Sequence, residues 1–177
     1  MATLKDNSGN VAASAKFGGS SGVRSKTASK FVPTATWAVS DVSVRISEDT
    51  GAPLGNVRVG IFTDDGSGKP SATQVGGYGT ITAGEITTGG SFQDFTKTLA
   101  SVANLTFNAT YWLVLDVSAS ESDSAYYGTR GITTAGSGNG AQYNEPTPAT
   151  WTTNTDDLYY VLTGTATNSF VPNVMII

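Results

Sequence analysis

Alternation of apolar and polar residues is the feature that most constrains how this chain folds. The run Val42-Ser43-Val44-Arg45-Ile46-Ser47 alternates with a period of two, which predicts a strand with one buried and one solvent-facing side. Residues 56–63 place Val57, Val59 and Ile61 on one face in the same way. No stretch keeps the 3.6-residue period of an amphipathic helix, so a helical bundle and a coiled coil are excluded.

Further strand-like runs follow, separated by turn-forming Gly, Asp and Pro. The remaining predicted strands are Gln74–Thr82, Ser91–Leu99, Thr110–Val117, Ser124–Gly128, Ala141–Tyr143 and Asp157–Thr163. Thr110–Val117 is apolar on both faces, which predicts a central strand with one face in the core and the other covered. Asn139-Gly140 predicts a two-residue hairpin turn, with Ala141–Tyr143 as the return strand. The pattern predicts a single all-β domain, an antiparallel β-sandwich of the jelly-roll-like kind.

The composition supports this fold class and excludes much chemistry. Of the 177 residues, 38% are hydrophobic and 14% are charged, both below the averages of about 45–50% and about 25% for globular domains, and Thr, Ser and Gly take the difference. The chain has no His and no Cys, which excludes Ser-His-Asp and Cys-His catalysis, disulfides, and metal sites built from imidazole or thiolate. The sequence therefore predicts no catalytic site and no cofactor.

The acidic residues are the remaining candidates for acid/base chemistry or metal binding. They occur as Asp64/Asp65, Glu48/Asp49, Asp156/Asp157, and Asp116 with Glu121 and Asp123. A glycosidase needs two carboxylates on opposite sides of a cleft, which adjacent acids in a turn do not provide. Most of these acids lie in Gly- and Ser-rich stretches, where Asp side chains stabilise turns. We predict structural roles for them and no metal site; calcium binding is the weaker alternative, and the protein is predicted not to be an enzyme.

Charge is distributed unevenly along the chain. The net charge is -4, yet residues 1–30 carry five basic side chains against one acidic side chain. We predict a basic, partly extended N-terminal arm over residues 1–30. It is either solvated or docked on an acidic neighbouring subunit, and its candidate assembly contacts are Lys16, Arg24, Lys26 and Lys30. The sequence pI of about 4.6 argues against nucleic-acid binding by the folded domain.

The two segments after the arm differ in character. Residues 31–166 are predicted to form the sandwich, and residues 167–177 an apolar C-terminal tail. Exposure of an apolar chain end to water is unfavourable. We therefore expect the tail either to pack on its own domain or to add to a partner's sheet or groove. Its candidate assembly contacts are Phe170, Val171, Val174, Met175, Ile176 and Ile177. No window reaches 18 apolar residues, and no membrane contact is predicted.

Aromatic residues are the candidates for ligand contact. Trp112 and Tyr160 lie in strongly apolar strands and are predicted to fill the core. Residues beside the glycine-rich loops are predicted to be exposed and to stack on sugar rings. These candidate glycan contacts are Tyr126, Tyr127, Tyr143 and Trp151.

The order of motifs carries a resemblance to a known family. After a Phe near the start (Phe17 or Phe31), the chain contains Val42–Ile46, Pro53–Ile61, Gly68-Lys69-Pro70, Phe92-Gln93-Asp94-Phe95, Leu105–Leu115, Trp151 and Asp157–Val161. This series resembles the choice-of-anchor R type of β-sandwich domain, over about residues 30–166. Its most specific parts are the Gly-Lys-Pro turn and Thr110-Tyr111-Trp112-Leu113-Val114-Leu115. Domains of this type occur in bacterial surface proteins and in bacteriophage virion proteins, and the resemblance brings no catalytic residues.

The resemblance implies a structural function. The chain lacks the signal peptide and the C-terminal sorting segment of bacterial surface members, which favours a virion protein. We therefore expect a non-enzymatic accessory subunit on the outer surface of a phage particle, with capsid decoration favoured over a tail or fibre component. Its expected partners are other virion proteins and copies of itself in a homo-oligomer. The alternative is a carbohydrate-binding or host-receptor-binding module of an extracellular surface or secreted protein.

Overall fold

The computed structural model describes residues 1–7, 13–18, 24–50, 55–87, 91–117, 126–133, 140–144, 150–154 and 156–167. These residues form two antiparallel sheets that enclose one large apolar core. The predicted all-β antiparallel sandwich is therefore confirmed. Within these ranges the helical structure is a short 3-10 helix, Ala83–Glu85.

One sheet has seven strands and the other has six. The seven-stranded sheet contains β1 (Ala2–Asp6), β2 (Ala13–Phe17), β4 (Trp37–Thr50), β7 (Gln93–Leu105), β9 (Tyr126–Thr133), β12 (Asp156–Leu158) and β13 (Tyr160–Ala166). The six-stranded sheet contains, in spatial order, β11 (Thr150–Asn154), β10 (Gly140–Asn144), β3 (Arg24–Phe31), β8 (Tyr111–Val117), β5 (Val57–Asp64) and β6 (Pro70–Ile81).

Strand β8 is central, as its two apolar faces predict. It lies between β3 and β5, and all seven of its residues are buried. Its alternate residues Leu113 and Leu115 join the core between the sheets, while Trp112 and Val114 point to the opposite face. The alternation predicted in β4 is also confirmed, since Val42, Val44 and Ile46 are fully buried. Complete burial of a side chain of this size contributes about 1.5–3 kcal/mol.

The predicted arm over residues 1–30 is wrong for the described part of that segment. Strand β1 pairs with β13 at the edge of the seven-stranded sheet, and β2 pairs with β9. Strand β3 is inserted between β10 and β8, where Thr27, Ala28 and Ser29 are buried. The sandwich therefore begins before residue 31, because the backbone of β3 pairs with β10 on one side and with β8 on the other.

Two predictions near the C-terminus also need correction. The expected hairpin at Asn139-Gly140 is wrong, because β9 and β10 belong to different sheets and β10 pairs with β3 and β11; Asn139 itself lies outside the described residues. The expected single strand Asp157–Thr163 is divided at Tyr159. Its first part, β12, pairs with β9, and its second part, β13, pairs with β4 and β1. The chain thus changes partner within one sheet.

The glycines that weaken β6 as a predicted strand bring the two sheets together. A Cβ atom on Gly77 would lie 2.6 Å from the backbone nitrogen of Ser101 in β7, and one on Gly76 would lie 2.7 Å from the Ser101 oxygen. Gly76 also has a φ of 73°, in the left-handed region that favours glycine. Only residues without a Cβ allow β6 and β7 to approach this closely, so Gly76 and Gly77 close this side of the sandwich.

We predict that Gly77→Ala lowers the free energy of unfolding by about 1–3 kcal/mol, because the added methyl group overlaps the β7 backbone. Gly84→Ala is the matched control, since a Cβ at Gly84 meets no atom within 4 Å. Urea denaturation of both variants measures the difference. Equal stability of the two variants would show that β6 and β7 are not in close contact.

Candidate functional site

The outer faces of the two sheets differ in chemistry. On the seven-stranded sheet, polar side chains pair across β4 and β7: Ser43 with Thr96 at 2.7 Å, and Arg45 with Asp94 at 2.6 Å. On the six-stranded sheet, the outer face holds a second apolar cluster. Ala28, Trp112 and Val114 are buried there, with Phe62 and Trp151 packed against them. An outer sheet face that carries large apolar side chains and a cleft is a candidate binding surface.

A groove crosses this apolar face, and we call it the outer groove. Its volume is about 440 Å³, within the range of small-ligand sites. Among the described side chains, those of five of the six strands of the sheet line it. Its lining residues are Lys26, Phe62, Pro70, Ser71, Ala72, Tyr78, Val114, Asp116 and Trp151.

The register between β5 and β8 determines which side chains lie in the central part of the outer groove. Arg58 pairs with Asp116 and Phe62 pairs with Trp112, so these side chains share the outer face. Val57, Val59 and Ile61, which alternate with them, are buried in the core between the sheets. The period-two pattern that buries one face of β5 therefore also presents Arg58 and Phe62 on the other.

A bulge in β6 brings Tyr78 onto the same face. The register between β5 and β6 shifts between Val59 and Ile61, where Gly76-Gly77-Tyr78 opposes Gly60. The Tyr78 ring lies directly over Gly60, where a Cβ atom would approach the ring carbons to 2.9 Å. The Phe62 ring is 6.1 Å from that of Tyr78, and the Arg58 guanidinium is 5.0 Å from it. The glycine at position 60 thus makes room for one aromatic wall of the groove.

Asp116 is the polar centre of the outer groove. Its side chain is 9% exposed, and its Oδ2 lies 2.6 Å from Arg58 Nη2 and 3.9 Å from Lys26 Nζ. Its Oδ1 accepts a hydrogen bond from the Val117 amide. Burial raises the pKa of the Tyr78 hydroxyl, and the negative charge of Asp116 adds to this rise while Arg58 opposes it. The tyrosine therefore stays protonated and can donate a hydrogen bond at neutral pH.

The Asp64-Asp65 turn supports one end of the apolar cluster. Asp64 accepts hydrogen bonds from Trp112 Nε1 at 2.8 Å and from the amide of Gly66, and Asp65 accepts from the amide of Ser67. Burial alone would raise the pKa of Asp64, but these hydrogen bonds and nearby Lys30 hold it below its usual value. The predicted turn-stabilising role of both acids is confirmed.

The predicted glycan contacts have different locations. Trp151 is half-buried and lines the outer groove. The prediction that Tyr127 is exposed is wrong. Tyr127 is 1% exposed, packs on Phe17 in the core, and donates a hydrogen bond to the Gly55 carbonyl. The backbone of Tyr143 pairs with Trp151, and Tyr126 begins β9, but the side chains of Tyr126 and Tyr143 lie outside the described part of the structure.

The predicted assembly contacts are only partly described. Lys26 and Lys30 belong to β3 rather than to a loose arm, with Lys26 in the outer groove and Lys30 Nζ 5.9 Å from the Trp112 ring. Lys16 and Arg24 lie in β2 and β3, and their side chains are outside the described residues. The remaining candidates, Phe170, Val171, Val174, Met175, Ile176 and Ile177, also lie outside the described residues.

Sequence reasoning did not single out Arg58, Phe62 or Tyr78 as site residues, and it assigned Lys26 to an arm rather than to the groove. A signal for the first two was present, because Arg58 and Phe62 alternate with buried valine and isoleucine in β5. The position of Tyr78 had no comparable signal, since it depends on the contact between the β6 glycines and β7.

Comparison with protein-family models and with curated proteins finds no match to this chain. The resemblance to the choice-of-anchor R type therefore stays a prediction. In the described ranges no three His, Cys, Asp or Glu residues cluster in a way that could hold a metal ion. None of the helices in those ranges is long and apolar enough to cross a membrane.

We predict that Asp116→Ala lowers the free energy of unfolding by about 1–3 kcal/mol, because it leaves the partly buried Arg58 without this carboxylate. Asp94→Ala is the control, since it breaks a pair of equal 2.6 Å length in which the Asp94 side chain is 49% exposed. An exposed pair of this kind contributes about 0–1 kcal/mol. Thermal unfolding of both variants measures the difference, and a larger loss for Asp94→Ala would contradict the assignment.

Proposed function

We propose that this protein is a non-enzymatic structural subunit on the outer surface of a bacteriophage virion, a capsid decoration subunit rather than a tail or fibre component. The observation that carries the proposal is the position of the two ends of the described chain. Strand β1 is the outermost strand of the seven-stranded sheet, and β13 is its neighbour. The first and last of the described strands thus lie together at one sheet edge.

This edge suits assembly by strand pairing. In the described strand order β1 stands at the end of the seven-stranded sheet, and an edge strand is the position at which strand addition occurs. Lys5 and Asp6 are exposed on β1, and charged residues limit pairing at an edge to complementary partners. The apolar residues of the predicted C-terminal tail come after β13 in the sequence. Partners in the proposed assembly are other virion proteins and further copies of this chain.

The phage part of the proposal is supported by the resemblance to the choice-of-anchor R type. The sandwich supports a structural role, because a rigid core with terminal strands at one edge supplies both durability and attachment. No step of the proposal needs a catalytic group, a cofactor, nucleic acid or a membrane.

Purified particles of the phage that encodes the chain provide the test. We expect peptide mass spectrometry to find the chain in the particles, and gold-labelled antibody to bind it on the capsid surface. Detection of the chain only in the lysate supernatant would overturn the proposal. Label confined to the tail would overturn the capsid assignment. A second experiment tests whether the C-terminal residues of the protein hold it on the particle. The double substitution Val174→Ser with Ile176→Ser should release the chain from particles, whereas the control Asn168→Ser with Asn173→Ser should not.

A second function, carbohydrate recognition at a host or other surface, is favoured by the outer groove. Trp151 and Tyr78 supply aromatic rings there, and Asp116 and Lys26 supply polar groups. Aromatic walls with a few convergent polar groups are typical of ligand sites. A glycan array without binding by the wild-type chain would remove this function and leave the virion proposal unaffected.

A further inference from the structure

Exposed apolar side chains gather at one end of the described sandwich. They are Met1, Val32, Val102 and Phe107. Val32 and Phe107 lie in the two connections that cross between the sheets at this end, from β3 to β4 and from β7 to β8. The Asn108 amide donates to the Pro33 carbonyl at 3.0 Å, so the two connections are in contact. The other two residues lie beside the start of β1 and near the end of β7. We call the surface around Val32 and Phe107 the apolar end.

The segments that form the apolar end carry no charged side chain. Residues 32–40, 99–110 and 162–167 contain no Asp, Glu, Lys or Arg. Phe107 is nevertheless 61% exposed and Val32 is 45% exposed. Depletion of charge around an exposed aromatic residue is typical of a surface that another protein segment covers. An apolar segment without charges of its own is the occupant that fits this surface.

The chain supplies such a segment next to the apolar end. The Thr167 amide donates to the Thr36 carbonyl at 2.9 Å, so the chain is held at this end up to residue 167. Residues 168–177 contain no charged side chain and begin their apolar residues at Phe170 and Val171. A chain spans at most about 3.6 Å per residue, so Phe170 is restricted to about 11 Å from Thr167.

The strand register shows that this restriction keeps Phe170 near Phe107. Trp37 pairs with Ala166 on one side and with Leu105 on the other. Neighbouring strands are about 4.8 Å apart, and Phe107 follows Leu105 by two residues, so the backbones at residues 167 and 107 are no more than about 20 Å apart. A three-residue tether together with two phenylalanine side chains covers that span.

We propose that Phe170 and Val171 fold back onto the apolar end of their own chain and pack on Phe107 and Val32. The polar pair Asn168-Ser169 supplies residues that favour a turn at the point of reversal. The occupant is the chain's own segment because a tethered segment has a high effective concentration at a nearby surface. A separate partner would also lose its translational freedom on binding.

This contact fixes the place at which the rest of the tail leaves the domain. Pro172-Asn173 separates the docked residues from the second apolar group, Val174–Ile177. The second group therefore remains available for contacts with a partner. The inference does not depend on the virion proposal, because it concerns a contact within one chain.

The absence of Cys from the chain makes disulfide exchange a clean test. Val32→Cys with Val171→Cys is the docked pair. Val32→Cys with Asn173→Cys is the matched control, two residues further along the tail. Each full-length variant is equilibrated with reduced and oxidised glutathione, and the yield of intramolecular disulfide gives the effective concentration of the two thiols. In an undocked tail this quantity falls as about the −3/2 power of tether length, so the pairs would differ by about twofold. We expect a preference of at least about tenfold for the docked pair.

Further substitutions separate apolar packing from mere proximity. Added to the docked pair, Phe170→Ser should lower the effective concentration to that of the control pair, whereas Ser169→Ala should leave it unchanged. Phe107→Ser should have the same effect as Phe170→Ser, because it removes the other side of the contact. Phe107 is mostly exposed, so the fold should persist in this variant, and circular dichroism checks this.

Each contrary result overturns the inference in a different way. Effective concentrations within about twofold of each other would show that the tail is not docked. A tenfold preference that survives Phe170→Ser would show that this ring does not hold the contact. Disulfides formed mainly between chains, with a yield that rises with protein concentration, would show that the tail docks on a second copy. None of these results bears on whether the chain is a virion protein or binds a glycan.

Discussion

The structure depends on one constraint: strand β8 is apolar on both faces and must be covered on both. Its inner residues, Leu113 and Leu115, are covered by the seven-stranded sheet. Its outer residues, Trp112 and Val114, have no second sheet above them in the described structure, and they are buried by side chains of their own sheet, chiefly Phe62 and Trp151. Burial of Trp112 therefore requires other aromatic side chains to pack on the outer face of the six-stranded sheet. The outer groove lies among these aromatic side chains.

The other sheet shows what such a face looks like without this constraint. The outer side of β4 and β7 carries cross-strand polar pairs such as Arg45 with Asp94, and Ser43 with Thr96. Lys97 of β7 also pairs with Glu85 of the 3-10 helix, and this ammonium and hydrogen bonds from Thr82 lower the pKa of Glu85 to about 2, so that carboxylate is charged at neutral pH. Charged groups on a surface are well hydrated, whereas partly exposed apolar side chains on the six-stranded sheet gain free energy when a ligand covers them. The proposed division of roles follows: the seven-stranded sheet contributes the assembly edge, and the six-stranded sheet contributes the groove.

Local pattern predicts much of the fold and little of the site. The alternation in β4 and β5 and the two apolar faces of β8 identify the core strands, because burial of one or both faces leaves a direct trace in the sequence. Strand β3 leaves no such trace, since its buried residues Thr27, Ala28 and Ser29 are small or polar. Tyr127 was expected to be exposed because it lies beside a glycine-rich segment, yet a partner 72 residues away, the Gly55 carbonyl, satisfies its hydroxyl in the core. The bulge that positions Tyr78 depends on a contact with β7, which no local pattern records.

Hydrogen–deuterium exchange of the Trp112 indole N–H tests the central claim most directly. Trp112 is fully buried on the outer face, and its Nε1 donates to Asp64 at 2.8 Å. If the outer face is a covered apolar layer, this proton exchanges only when the sandwich opens, as slowly as the amides of β8. Exchange at the rate of a solvent-exposed indole would show that the layer is open. The packing that forms the outer groove would then be absent.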